Sequence, residues 1–193
     1  MKIAVTGGIG SGKSYVCRLL KCRGIEVYDC DAAAKRLMHH SADLRRQLTE
    51  LIGPDTYVRS TDGQSYQLNK AAVAQFLLAS ENNAHAIDAI VHPAVAADYL
   101  QSGLSWMECA ILFESGFDRL VDHIIVVTAP QVVRVNRIMQ RDGISREKAL
   151  EWMNRQWSQE EVRHRAHDEI VNDGRPLEPQ IDRIINNLNN TKE

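Results

Sequence analysis

Eight residues near the start of the chain, Gly7-Gly8-Ile9-Gly10-Ser11-Gly12-Lys13-Ser14, directly follow the apolar run Ile3-Ala4-Val5-Thr6. Their spacing is G-x-x-x-x-G-K-[ST], the phosphate-binding loop of P-loop nucleotide enzymes. Each part has a mechanical task. Glycines let the backbone turn its N–H groups inward around an anion. A helix starting at the end of the loop, marked by Val16, Leu19 and Leu20, adds its positive N-terminal end. In such loops the lysine, here Lys13, reaches the β- and γ-phosphates, and the serine, here Ser14, holds Mg²⁺. The expected chemistry is therefore binding of a nucleotide polyphosphate, and the residues around the loop must say what is done with it.

Acidic and basic residues that could act on that phosphate recur at three places. The run Val27-Tyr28-Asp29-Cys30-Asp31 ends in two carboxylates, and strand ends in an open parallel sheet face the ligand crevice. One aspartate is expected to address the site, orienting an attacking hydroxyl, while the other caps the following helix. The residues alone do not say which does which. The apolar run Glu108-Cys109-Ala110-Ile111-Leu112-Phe113-Glu114 carries a carboxylate at each end, and either could assist the metal. Glu114 is expected at the C-terminal end of that strand, nearer the crevice. Arg137 and Arg141 are four apart and so share a helix face, a spacing that suits two guanidinium groups converging on one polyphosphate. Arg134, Arg146 and Arg155 are expected to be solvated.

These groups need a scaffold. Strand-like runs at Lys2–Thr6, Ile25–Asp29, Trp106–Phe113, His123–Thr128 and Glu169–Asn172 alternate with helical patterns, which implies βαβ units and a parallel sheet covered on both faces. The alternation is interrupted twice. Residues 32–103 read as helices and turns: Asp43–Leu51, a turn at Ser60–Gly63, Asn69–Ala79, and Asn82–Leu100 kinked or divided at Pro93. A crossover needs one helix and this stretch holds several, so it is expected to be an acceptor-binding lobe. Residues 131–158, with a helix start at Ser145, are expected to form a small helical lid. The core is then 1–31, 104–130 and 159–193. Pro176–Leu188 is expected to be a core-packing helix. The expected fold class is α/β: a three-layer α/β/α P-loop sheet with a helical insert and a lid.

Composition sets bounds. The 193 residues carry a net charge of −2, which is no dedicated nucleic-acid binder. No run is apolar enough for a bilayer span, and there is no signal-peptide pattern, so no membrane association and a cytoplasmic location are expected. Cys17, Cys22, Cys30 and Cys109 show no C-x-x-C pairing and are expected to be reduced thiols. His164 and His167 are spaced to share a helix face but lack the companions of a zinc site, and His39-His40 reads as a solvated helix end. Asn69-Lys70-Ala71-Ala72 lacks the aspartate of a guanine-reading element, and no L-S-G-G-Q signature occurs. These omissions favour a small-molecule kinase over a GTPase switch or a transport ATPase.

Taken in order, the motifs resemble those of the dephospho-CoA kinase family over nearly the whole chain. Thr6 to Ser14 is similar to its T-G-G-I-G-S-G-K-S, Val27 to Asp31 to its V-I-D-A-D, and His92-Pro93 to the H-P of its acceptor lobe. Leu112-Phe113-Glu114 resembles the end of its P-L-L-F-E, Gln140-Arg141-Asp142-Gly143 its x-R-D-G, and Asp168 to Gly174 its D-x-x-I-x-N-x-G. The resemblance implies transfer of the ATP γ-phosphoryl group to the ribose 3′-hydroxyl of dephospho-CoA, with Mg²⁺. It implies a base-like role for Asp31, phosphate contacts for Lys13 and Arg141, acceptor binding in the 32–103 lobe with His92 and Glu114, and an Asn172 loop near adenine. The chain departs from the family at Glu108, where aspartate is usual, at Ala110 for proline and at Tyr15 for threonine.

Overall fold

The computed structural model describes residues 1–60 and 66–190. Its centre is a five-stranded sheet of β1 (Ile3–Thr6), β2 (Val27–Asp29), β5 (Trp106–Glu108), β6 (His123–Thr128) and β7 (Asp168–Val171), in the spatial order β2-β5-β1-β6-β7. β1 pairs in parallel with β5 and with β6, and β6 with β7. All four residues of β1 are buried, as a central parallel strand covered on both faces must be. Ile3 and Val5, which share one face by the two-residue period, pack with Val16 and Leu20 of α1 (Lys13–Lys21) and with Ile181, Ile184 and Leu188 of α9 (Glu178–Asn190). The three-to-four spacing of the α9 residues places them on one stripe, so sequence period and packing agree.

The chain divides into two compact units. The first comprises residues 1–28 and 104–193. It holds most of the sheet together with α6 (Gln131–Asp142), α7 (Arg146–Asn154) and α8 (Gln159–Arg165). Val135 and Ile138 of α6 close on Ala149 of α7, with Met139, Ile144 and Leu150 around them. Gly143 ends α6 in a left-handed turn, and the Ser145 hydroxyl caps α7 by accepting from the Lys148 N–H.

The second unit, residues 29–103, packs α2 (Cys30–His40) and α3 (Ala42–Ile52) on α5 (Asn82–Ser102), with α4 (Lys70–Ala79) and a hairpin of β3 (Tyr57–Arg59) and β4 (Tyr66–Leu68). The hairpin replaces part of the expected helices and turns: its strands have three residues each and carry no buried face that would pattern them in the sequence. The expected turn at Ser60–Gly63 lies largely outside the described residues.

Three local expectations are corrected. The run from Trp106 is a strand only to Glu108, after which residues 109–116 turn. Cys109 and Leu112 are nevertheless buried, and a short apolar run reads the same in a buried turn as in a buried strand. Pro93 does not divide α5, which runs on for 21 residues. Val91, Val95 and Tyr99, four apart and buried, hold one face of the helix across the proline. His164 and His167 do not share a helix, because α8 ends at Arg165; the His167 ring instead stacks on His123 at 4.7 Å and accepts from the Ile124 N–H.

Candidate functional site

β1 delivers the chain into the glycine loop, and α1 receives it. Gly7 sits at φ 141°, where an added Cβ would run into the carbonyl oxygen of Val127 on the neighbouring strand. Gly12 caps α1 at φ 100° with no side-chain cap, so no side chain screens the positive N-terminal end of the helix. Such an end, with inward-turned peptides before it, is a ready anion site.

Lys13 is 9% exposed and folds back over the loop: its Nζ donates to the Gly7 carbonyl at 2.7 Å and lies 3.8 Å from the Glu108 carboxylate. Glu108 occupies the last position of β5, paired across from Val5. The expectation that Glu114 stands at the strand's end is thereby overturned. That place belongs to Glu108, while Glu114 lies six residues on, where its carboxylate accepts the Trp157 N–H at 3.1 Å. Ser14 follows Lys13 and is exposed at the start of α1.

The outer side of the loop is held by α6 and by the end of β7. Arg137 donates to the carbonyls of Gly10 and Ser11 at 3.3 and 3.2 Å and to Oδ1 of Asn172 at 3.1 Å. Asn172 is 8% exposed and donates in turn to the Ser11 carbonyl at 2.8 Å. Arg141, one turn beyond Arg137, is turned to solvent and forms a forked pair with Asp142. The structure thus brings Gly8, Ile9, Gly10, Ser11, Gly12, Lys13, Arg137 and Asn172 together, and it leaves Arg141 at the exposed end of the same helix.

Two contacts on the loop come from residues that the spacing of the motifs does not single out. Arg134 is not solvated: it is 6% exposed, its Nε donates to the Ile9 carbonyl at 2.9 Å, and its guanidinium fills the space a Cβ on Gly8 would need. Burial alone pulls its pKa down. Arg134 and Arg137 are three apart, so the signal was present in the helix period. Gln156, just after α7, accepts the Ile9 N–H at 2.7 Å. No short-range pattern marks that residue. Its neighbour Trp157 stacks on Phe113, ring centroids 5.4 Å apart, under the Arg165 guanidinium.

In the second unit, Asp29 caps α2, its carboxylate accepting the Ala32 N–H at 2.9 Å. Asp31 then stands in the first turn of α2, exposed, rather than on a continued strand. His92 lies within α5, its Nε2 3.6 Å from Asp88 one turn earlier. Among the described residues no group of three or more His, Cys, Asp or Glu side chains could hold a metal by itself, and no helix is long and apolar enough to cross a membrane.

A glycine loop of this spacing between a buried central strand and an uncapped helix, with a lysine folded over it, defines a P-loop nucleotide-binding protein of the α/β class. Comparison with known proteins narrows the class. The family profile described as Dephospho-CoA kinase matches residues 1–178. The dephospho-CoA kinase of Porphyromonas gingivalis is 40% identical over 95% of this chain and 92% of its own, and that of Bacteroides fragilis is 38% identical over 96% and 91%. Among solved structures, the Thermus thermophilus protein TT1252 superposes with a TM-score of 0.78 at 31% identity, covering 97% of this chain and 95% of that one. The chain belongs to the dephospho-CoA kinase family and is a kinase.

Proposed function

We propose that this chain transfers the γ-phosphoryl group of ATP to the ribose 3′-hydroxyl of dephospho-CoA, giving coenzyme A and ADP. The observation that carries the reading is the family match across residues 1–178, which includes the whole of the glycine loop and its supports.

Phosphoryl transfer asks the protein for positioning and charge. The loop amides and Lys13 receive the β- and γ-phosphates. Lys13 is largely buried at the loop, where a cation acts on phosphate oxygens more strongly than it would in water. Mg²⁺ is a hard ion that takes oxygen ligands, and the oxygen donors that would hold it are the hydroxyl of Ser14, next to Lys13 in the chain, and the carboxylate of Glu108, 3.8 Å from the Lys13 Nζ. An ion held there would supply positive charge to offset the charge that develops on the transferring group. Asp31 is assigned the base-like role of orienting the acceptor hydroxyl. This is supported by the commitment of Asp29 to the helix cap and by the resemblance of Asp29-Cys30-Asp31 to the family motif. Arg141 is assigned the lid contact to the transferring phosphate; its partner Asp142 is its own chain neighbour on an exposed surface, and such a pair is weak enough to be exchanged for phosphate. The 32–103 lobe, with His92, is assigned acceptor binding, and so is Glu114, which closes the Leu112-Phe113-Glu114 run that resembles the family's motif. Asn172 is assigned to the adenine side of the nucleotide. A soluble, cytoplasmic location goes with this reading, and no nucleic acid is required.

The test is ADP formation with ATP-Mg²⁺, with and without dephospho-CoA, and identification of the product by mass. Strong stimulation and a product heavier by one phosphoryl group are expected. Stimulation by another hydroxyl acceptor alone would sink the assignment and leave the fold untouched.

A further inference from the structure

In a trans peptide the C=O and the next N–H point opposite ways, so a loop that turns amides inward must turn carbonyls outward. Those outward carbonyls need donors. Around this loop three consecutive ones have them. Arg134 serves the Ile9 carbonyl at 2.9 Å, Arg137 the carbonyls of Gly10 and Ser11, and Asn172 that of Ser11 again. Two of the three side chains are guanidinium groups, whose hydrogen bonds are the stronger, charge-assisted kind.

Among the described residues only Arg134 holds the Ile9–Gly10 peptide from the carbonyl side. The Gln156 carboxamide holds the Ile9 N–H, one peptide earlier, at 2.7 Å. The two contacts therefore fix successive peptide planes. The Ser11 N–H turns back to the Gly8 carbonyl at 3.1 Å, whereas the Gly10 N–H makes no hydrogen bond among the described residues. Arg134 is also locked in place. Its guanidinium lies against the bare Cα of Gly8, and its own backbone carbonyl lies where a Cβ on Gly10 would fall.

We propose that Arg134 is a positioning residue for nucleotide binding: its Nε bond to the Ile9 carbonyl fixes the Ile9–Gly10 peptide so that the Gly10 N–H is presented to phosphate. The charge on the donor polarises the peptide and strengthens that N–H. Fixing the peptide before the ligand arrives removes an ordering cost from binding. This rests on the reading that ATP binds at this loop, but not on the identity of the acceptor. Arg134 touches no reacting atom, so its effect falls on nucleotide affinity and not on the transfer step.

The experiment is calorimetric titration of ADP-Mg²⁺ into the full chain, beside turnover of dephospho-CoA by the wild type. Arg134→Met, which keeps the length and loses the donors, is expected to weaken ADP about tenfold, the equivalent of one charge-assisted hydrogen bond. Arg134→Gln, which keeps a neutral donor, is expected to recover most of that loss. KM for ATP should rise with kcat and KM for dephospho-CoA changed by less than about threefold. Folded Arg134→Met that binds ADP as the wild type does overturns the proposal, as does Arg134→Gln that is no better than Met. If Arg134→Met does not fold, Gly8→Ala replaces it, because a Cβ there displaces the guanidinium; unchanged ADP affinity then overturns the proposal. Wild-type protein that binds ADP but does not turn over dephospho-CoA would fail the functional reading alone.

Discussion

The carboxamide nitrogen of Asn172 occupies the space that a Cβ on Gly12 would need, and it donates to the Ser11 carbonyl 161 positions away in sequence. Two remote segments are thus fitted to each other at the entrance of α1. Gly12 is required twice over, for its φ of 100° and for the side chain pressed against it. Strain at such a backbone position costs about 1–3 kcal/mol, and the displaced carboxamide adds to it. Gly12→Ala is expected to weaken ADP by about ten- to a hundredfold on that scale, where about 1.4 kcal/mol is tenfold. Asn172→Ala in the same chain should relieve the clash and not the φ, so recovery should be partial. Full recovery in the double variant would show that the clash alone matters.

Asp29 at the end of β2 and Asp31 in the first turn of α2 are expected to separate cleanly. Asp29→Ala removes the α2 cap and should cost about 1 kcal/mol of stability in urea unfolding, with kcat near that of the wild type. Asp31→Asn should lower kcat by about 10²–10⁴ with little change in stability, as loss of a general base does. A near-normal kcat with a raised KM for the acceptor would make Asp31 a binding residue instead.

Arg141 pairs at the surface with its chain neighbour Asp142, whereas Arg137 is built into the loop. Arg141→Ala is therefore expected to reduce kcat by about 10²–10³, the range for removing one preorganised donor, with ADP affinity changed by less than about threefold. Arg137→Ala should reduce both. Equal losses in kcat and ADP affinity for Arg141→Ala would count against a lid role.

The start of α8 carries a capping box in which the Ser158 hydroxyl and N–H both donate to the Glu161 carboxylate. Those bonds favour the charged form and hold the Glu161 pKa below its ordinary value. A carboxyl whose folded pKa is lowered stabilises the fold above its unfolded pKa and loses that contribution as the pH falls through the folded value. The wild type should therefore lose its stability advantage over Glu161→Gln as the pH drops through the carboxylate range. Parallel urea midpoints for the two proteins across that range would show no linkage.

The sequence by itself determined the phosphate loop, the parallel α/β core and the helical stretch between its second and third strands. Those signals are local. Gly12-Lys13-Ser14 is spelled out within one turn of chain, Ile124–Val127 is an uninterrupted apolar run, and Ile181, Ile184 and Leu188 repeat at the helix period. It also limited the helix cap to Asp29 or Asp31 without choosing between them. That choice needed the residue at which the strand stops, and boundaries depend on long-range pairing that local pattern does not encode. Tertiary structure alone decided that Glu108, not Glu114, reaches Lys13, because burial turns the chain after Glu108 where its apolar pattern would have continued a strand. It alone decided that Arg134 is buried on the loop and that Gln156 and Asn172 hold it. Each of these contacts joins residues more than a hundred positions apart, and only closure of the sheet brings them within hydrogen-bonding distance.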